Sequence, residues 1–307
     1  TSCFIYNFGV AMHIFFTGAT GLIGRHLCPF LLHHHDVTVL SRNPTKAKVL
    51  LGHQINAVDS LEDVDFNTVD VVINLAGEPI VNKRWSDKQK TVIRDSRIIV
   101  TQAISDAIKQ CHTPPHTFIS GSAIGYYGRQ GDTLVDENNT EPHDEFSHQL
   151  CKDWEQAALK AESDETRVCL LRTGIVLAKK GGALGKMLPA FKLCVGGPIG
   201  NGEQGMSWIH IDDMVQLILF LIRNKEISGA VNATAPEPLS NKQFSQSLAK
   251  ALSRHTFMPM PAGVLNILMG EMADLLTTGQ YVVPKKALDH NYRFHFTKID
   301  AALESLV

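Results

Sequence analysis

Gly18-Ala19-Thr20-Gly21-Leu22-Ile23-Gly24 follows the apolar run Met12–Thr17 and opens Leu22–Leu32, a stretch with helical spacing of its apolar residues. A glycine triplet alone is weak evidence, but between a strand and a helix it becomes a nucleotide signal. Gly18 permits the tight turn, Gly21 lets the backbone approach a pyrophosphate, and Gly24 allows helix to pack closely on strand. The new helix offers free N–H groups and a positive dipole end to phosphate. Thr20, Leu22 and Ile23 complete this cradle. The competing reading is a glycine-rich turn that binds nothing; strand, spacing and helix together favour the nucleotide.

The end of the next strand selects the dinucleotide. An acidic residue there would hold a ribose 2′-hydroxyl and repel a 2′-phosphate. This chain has Ser41-Arg42 instead, with Lys46 one turn on and Arg25 directly after the last glycine. A lone arginine is usually a solvated surface charge, but guanidinium suits bidentate phosphate binding. Cations gathered where an acid is missing point to NADP(H). Asp59, after the third strand, is expected near the adenine amino group. Asn74-Leu75-Ala76-Gly77 ends the fourth strand, and the short residues after Leu75 let a ribose approach the backbone.

Outward from this turn, short apolar runs alternate with helical stretches. Strands are expected at Val37–Leu40, Ile55–Val58, Val69–Leu75, His116–Ile119 and Val168–Arg172. Helices are expected at Pro44–Leu50, Asp87–Gln110 and Phe146–Ala161, the first capped by Asn43. Continuous apolar strands in βαβ rhythm indicate an α/β fold, a doubly wound parallel Rossmann sheet. After Gly174 glycine-rich loops interrupt the rhythm, one strand at about 229–234 returns to complete the sheet, and helices follow with connectors such as Met258-Pro259-Met260-Pro261. The expected organisation is an N-terminal extension over 1–11, an NADP-binding domain over 12–174, and a smaller, mainly helical substrate-binding part over 175–307.

Composition is that of an ordinary globular protein: 307 residues, 44% hydrophobic, 20% charged, formal net charge −2. Near-neutral charge gives no electrostatic reason to expect nucleic acid or an anionic membrane as partner. The longest apolar runs, such as Met214–Ile222, are too short to span a bilayer. Cys3, Cys28, Cys111, Cys151, Cys169 and Cys194 are scattered without a CxxC pair, which reads as reduced thiols in the cytoplasm. A homodimer is neither required nor excluded.

Several motifs in order, GATGLIGRHL (18–27), NLAGEPI (74–80), RWSDKQKTVIRDSRI (84–98), SGSAIGYYG (120–128), LRTGIVLAKKGGALGKMLPAF (171–191) and GGPIGNGEQGMSWIHIDDM (196–214), resemble the short-chain dehydrogenase/reductase superfamily. The resemblance is to its atypical, extended, NAD(P)-dependent epimerase/dehydratase branch, and within that to the YfcH-like epimerase family proteins. It implies a serine after the fifth strand and a Tyr-x-x-x-Lys pair on the following helix, the tyrosine exchanging protons and the lysine holding the nicotinamide ribose. Ser122 and Lys152 fit two of these roles, but His148 stands four residues before Lys152 where the tyrosine is expected. Histidine exchanges protons near neutral pH, so Ser122, His148 and Lys152 form one catalytic set. A helix-surface histidine is the equal alternative, and Tyr126 or Tyr127 would supply a phenol from the loop unless both are packing residues.

Further substrate-pocket candidates lie on loops expected at the same edge: Glu78, Arg84, Trp85, Tyr126, Lys186, Trp208 and His210, with Arg172 as another cation for a diphosphate. Asp212 or Asp213 reads equally as the cap of the helix that follows. His33-His34-His35 reads as a solvated turn at the opposite edge, and no His/Cys/Asp spacing reads as a metal site. The expected activity is an NADP(H)-dependent oxidoreductase or epimerase acting on a small polar, nucleotide-sugar-like substrate. The alternative is a non-catalytic NADP(H)-binding regulator, some relatives being connected with cell or plastid division.

Overall fold

The computed structural model describes residues 10–139, 141–255, 259, 263 and 270–307. Residues 1–9 of the expected extension, with Cys3, and residues 258, 260 and 261 of the expected connector lie outside the described residues.

The first half alternates as its apolar runs predict: β1 (His13–Thr17), α1 (Leu22–Leu32), β2 (Asp36–Leu40), α2 (Pro44–Leu51), β3 (Asn56–Val58), β4 (Val71–Asn74), α3 (Asp87–Lys109) and β5 (Thr117–Ala123). Then come β6 (Leu134–Val135), α4 (Phe146–Leu159), β7 (Arg167–Thr173), β8 (Ile175–Leu177), α5 (Gly182–Lys192), β9 (Gly205–Met206), β10 (Trp208–His210), α6 (Ile211–Arg223), β11 (Gly229–Ala233), β12 (Leu239–Ser240), α7 (Asn241–Ala251) and β13 (Tyr281–Val282). Seven strands form one parallel sheet in the order β11-β7-β5-β4-β1-β2-β3.

Helices cover both faces, so the central strands must be apolar on both sides. Ile14 and Phe16 of β1 pack with Leu27 and Leu31 of α1 and with Met214 and Ile218 of α6. Phe15, between them, turns to the opposite layer, where Phe118, Ile104 of α3 and Ala158 of α4 enclose it. This two-sided burial explains why the strands read as continuous runs. α6 shares the layer of α1, so the sheet's cover draws on residues from both sides of Gly174.

A separate core holds the C-terminal part, with Leu184, Phe191, Trp208, Phe244, Leu248 and Leu303 in mutual contact. Strand pairs of two or three residues frame it: β8 with β10, β9 with β12, and β13 with β6. Such strands are too short to show a period in sequence. Asp213 ties down the chain end, its carboxylate accepting from the N–H groups of His295 (2.7 Å) and Phe296 (2.8 Å).

The order of strands reverses between β1 and β4, since β2 and β3 lie on one side of β1 and β4, β5, β7 and β11 on the other. Crevices at such a switch point, beyond the carboxyl ends of the strands, are where open α/β sheets bind ligands. Parallel registers bring Thr17, Leu40 and Asn74 level at this edge, and then Ser122, Arg172 and Asn232. The approach of α1 to this edge depends on Gly24, where a Cβ would stand 2.3 Å from the Ala19 carbonyl oxygen. Gly24→Ala is expected to destabilise the fold by about 1–3 kcal/mol through overpacking against rigid backbone. Urea unfolding tests this, with Gly21→Ala costing less because its Cβ meets only the Gly18 oxygen, at 3.1 Å.

Candidate functional site

Gly18 has φ +78°, and a Cβ there would fall 2.4 Å from the Leu75 carbonyl carbon and oxygen and 2.7 Å from the Ala76 nitrogen. The turn after β1 therefore lies directly on the chain leaving β4. The Leu75 N–H donates to the Thr17 oxygen (2.9 Å), and the Thr17 hydroxyl donates to Asn74 Oδ1 (2.6 Å). Gly21 is the N-cap of α1 and offers no capping side chain. The first-turn N–H groups of Leu22, Ile23 and Gly24 thus face outward without a side-chain acceptor, as an oxyanion requires. This cradle, with glycine wherever a Cβ would close it, fits a diphosphate.

Arg42 is exposed just beyond β2 and Lys46 is exposed in the first turn of α2. That helix is capped by Asn43, whose Oδ1 accepts from the Lys46 N–H (2.9 Å). Ser41 precedes Arg42, its hydroxyl accepting from the Asn43 N–H (3.3 Å) and its own N–H donating to the Val58 oxygen (2.9 Å). The latter bond sets the end of β3, and with it exposed Asp59, beside the end of β2. Arg25 folds back, Nε to the Gly21 oxygen at 3.3 Å. The structure therefore gathers the glycine turn, Arg42, Lys46, Asp59 and Leu75-Ala76-Gly77 at one edge of the sheet.

The expected catalytic set is arranged differently from its sequence reading. The buried face of α4 carries Ser147, Cys151, Trp154, Glu155 and Ala158, with His148 at its margin. Lys152 is exposed, one turn beyond His148 on the same helix. A spacing of four puts His148 and Lys152 on the same side of the helix, but the buried arc ends between them. His148 is itself buried, not a surface residue: its Nδ1 lies 2.5 Å from the Tyr126 carbonyl oxygen and its ring packs edge-on to Tyr126. The carbonyl only accepts, so Nδ1 carries the proton and Nε2 is left as acceptor.

Glu155, absent from the sequence reading, organises this wall. Ser122 donates its hydroxyl to Glu155 Oε1 (2.6 Å), and Arg172 grips both carboxylate oxygens, Nε at 2.8 Å and Nη2 at 2.9 Å. Arg172 also donates to the Tyr127 hydroxyl (3.1 Å) and lies 3.5 Å from the centroid of the Tyr126 ring. Burial draws this guanidinium down, but Glu155 and Tyr127 outweigh that and hold it above its ordinary value. Arg172 is therefore committed within the protein and is not a free cation for a diphosphate. Tyr127 is also corrected: it is fully buried, donates to Asn232 Oδ1 (2.8 Å), and burial pushes its phenol up to about 12. A phenol sealed in this way does not exchange protons with a ligand near neutral pH.

The loop candidates divide similarly. Glu78 closes the β4 turn, its N–H donating to the Ser96 hydroxyl (2.9 Å) and its carboxylate 3.9 Å from Lys83. Trp85 donates to the Ile80 oxygen (2.9 Å) and packs edge-on to Phe146 at the start of α4, while Arg84 is exposed beside Gly270. Lys186 reaches from α5 to Asn82 Oδ1 (2.6 Å), so it straps the same loop. Trp208 is corrected, being fully buried in the C-terminal core. So is His210, which caps α6: its Nδ1 accepts from the Asp212 N–H (3.1 Å) and its ring stacks on Phe296 at 3.9 Å. Burial lowers its pKa to about 4. Among the described residues, no cluster of His, Cys, Asp or Glu could hold a metal ion, and no helix is long and apolar enough to cross a membrane.

The sequence profile of the NAD dependent epimerase/dehydratase family matches residues 14–233, the span that carries the glycine turn and the α4 wall. This chain belongs to that family. A second profile, a domain of unknown function called DUF1731, matches residues 260–306. The chain is 38% identical over 304 residues to the chloroplastic epimerase family protein SDR39U1 homolog of Arabidopsis thaliana, covering 96% of this chain and 87% of the relative. The crystal structure of human epimerase family protein SDR39U1 with NADPH superposes with TM-score 0.88 at 33% identity, covering 96% of this chain and 99% of that one. A nucleoside-diphosphate sugar epimerase from Corynebacterium glutamicum superposes with TM-score 0.75 at 30% identity, covering 97% of this chain and 59% of that one.

Two outcomes follow for the family member's stability. Glu155→Gln leaves Arg172 buried without its counter-charge and is expected to cost about 3–5 kcal/mol in urea unfolding, partly recovered in the Glu155→Gln/Arg172→Met double variant. Folded His210 refuses a proton that the unfolded chain accepts at 6.5. Stability should therefore fall as pH drops from about 6.5 towards 4. Urea midpoints across that window should fall less steeply in His210→Asn, which keeps a capping acceptor without the titration.

Proposed function

We propose that this family member binds NADP(H) across the switch point, with the diphosphate on the Gly18–Gly24 turn and the 2′-phosphate at Arg42 and Lys46. Arg25, Ser41 and Asp59 line the adenosine end, and Leu75, Ala76 and Gly77 line the middle. The carrying observation is the exposed Arg42–Lys46 pair beyond β2, at a strand end without an acid to take a 2′-hydroxyl. The NADPH in the structure of human SDR39U1 supports the same reading. A charge-assisted hydrogen bond is worth about 1.5–3 kcal/mol, so Arg42→Ala should weaken NADPH binding about ten- to a hundredfold. NADH binding should stay within about twofold, both read by calorimetry. Equal affinity of the unaltered protein for NADPH and NADH would sink the argument.

The proposed activity is an epimerase-like oxidoreduction of a small polar substrate of the nucleotide-sugar class. The name of the Corynebacterium relative supports that class, as do Arg84 and Trp85 on the loop beyond β4. The cofactor supplies the hydride chemistry; the chain's own residues orient the ligand and handle the proton. Ser122, its hydrogen committed to Glu155, presents oxygen lone pairs to the ligand. His148, with Nδ1–H held by the Tyr126 carbonyl, presents Nε2 as proton acceptor. Proton transfer by a positioned side chain contributes about 10²–10⁴-fold. His148→Ala should therefore lower NADPH turnover against a panel of sugar nucleotides and carbonyl compounds by at least about 10²-fold, with NADPH affinity kept.

The commitment of Ser122's hydrogen to Glu155 also favours a second reading, a non-catalytic NADP(H)-binding regulator. NADPH binding with no turnover anywhere in the panel would select it.

A further inference from the structure

The turn that follows β5 is clamped against its surroundings. A Cβ on Gly128 (φ +63°) would stand 2.3 Å from the His143 carbonyl oxygen, and one on Gly125 would stand 3.2 Å from that of Ser147. Tyr126 lies between these glycines, in the short helical turn Ile124–Tyr127. Its carbonyl accepts from His148 Nδ1, and the Arg172 guanidinium lies on its ring face at 3.5 Å. The His148 ring meets it edge-on, the centroids 5.2 Å apart. Backbone and ring are thus held, but the hydroxyl is not. Tyr126 is half-buried, and among the described residues no protein group pairs with its phenolic oxygen, which stays open to solvent.

The donors around it are already committed. Ser122 gives its hydrogen to Glu155, Ser147 gives its own to Glu145 Oε1 (2.7 Å), and Tyr127 donates to Asn232. His148 spends its Nδ1–H on the Tyr126 carbonyl, and Arg172 is divided between Glu155 and Tyr127. Oxidation of an alcohol or reduction of a ketone builds negative charge on the ligand's oxygen, which requires a donor already in place. Among the described residues of this wall, the Tyr126 hydroxyl is the donor without an acceptor. We propose that Tyr126 is a catalytic hydrogen-bond donor for a secondary alcohol or ketone, its O–H holding the ligand oxygen beside His148 Nε2. This rests on the oxidoreduction proposed above. The phenol keeps its hydrogen throughout: in the oxidative direction the alcohol proton passes to Nε2 and the hydride to the oxidised cofactor.

The test uses the full chain with NADPH and the panel of sugar nucleotides and carbonyl compounds. Tyr126→Phe keeps the ring against Arg172 and the carbonyl for His148, and removes the O–H alone. Loss of one oxyanion donor costs about 10²–10³-fold in kcat. Tyr126→Phe should therefore lower kcat at least about 10²-fold on any compound that the unaltered protein turns over, with KM and NADPH affinity within about threefold. Its urea midpoint should not move, because the hydroxyl meets no protein partner. Tyr127→Phe should behave oppositely, lowering the urea midpoint through its lost buried hydrogen bonds and costing less than about tenfold in kcat. A smaller loss of kcat in Tyr126→Phe, or a loss confined to KM, would overturn the assignment while leaving the oxidoreductase reading in place. NADPH binding by the unaltered protein with no turnover of any compound would overturn that reading and this one with it.

Discussion

The buried pair Glu155–Arg172 is the constraint on which the wall between α4 and β7 depends. It joins α4 to β7, and everything at the carboxyl end of β5 is arranged around it. Ser122 donates to its carboxylate, Tyr127 accepts from its guanidinium, and Tyr126 lies against the guanidinium face. Such a pair contributes less to net stability than to arrangement, because desolvating two charges offsets most of their attraction. What it secures is register. With Arg172 fixed in β7 and level with Ser122 and Asn232 in the neighbouring strands, α4 has one rotation that brings Glu155 onto it. That rotation turns Ser147 and Cys151 inward and Lys152 out.

A second chain of buried polar groups holds the side of the glycine turn. Thr17 donates to Asn74, and Asn74 and Trp154 both donate to Thr101 Oγ1 (2.7 and 3.0 Å), which in turn donates to the Arg97 carbonyl oxygen (2.7 Å). β1, β4, α3 and α4 are thereby tied at the depth where the glycine turn meets the chain leaving β4. Every member is paired, and such a network specifies one packing because a displaced member would be left buried and unsatisfied. Arg97 stands at the solvent end of this chain, with its carbonyl fixed by Thr101 and its Nη1 by Ile93 and Ser96.

Much of this is legible in the residues, for a physical reason that differs from element to element. β1, β4 and β7 lie between two helical layers and so read as unbroken apolar runs, and α1 begins where glycines make room for it. The paired strands β8 to β10, β9 to β12 and β6 to β13 are not legible, because two or three residues carry no period and their partners are far along the chain. Glu155 carries no signal in the sequence and Arg172 reads as a cation for a diphosphate, until the fold shows each is the other's counter-ion. Trp208 and His210 read as pocket residues because their segment resembles one that borders the substrate in epimerases; in space the tryptophan fills a core and the histidine caps α6.

By itself the sequence determined a strand–glycine–helix nucleotide cradle, a parallel doubly wound sheet, and cations instead of an acid beyond β2. These are properties of neighbours along the chain, set by backbone sterics, apolar period and local charge. The tertiary structure alone decided which face of α4 is buried, that Glu155 holds Ser122 and Arg172, that Tyr127 is sealed, and that Arg97 lies beneath Gly77. Each depends on groups from different elements meeting in a medium of low polarity, where an unpaired charge or hydroxyl costs too much to leave unanswered.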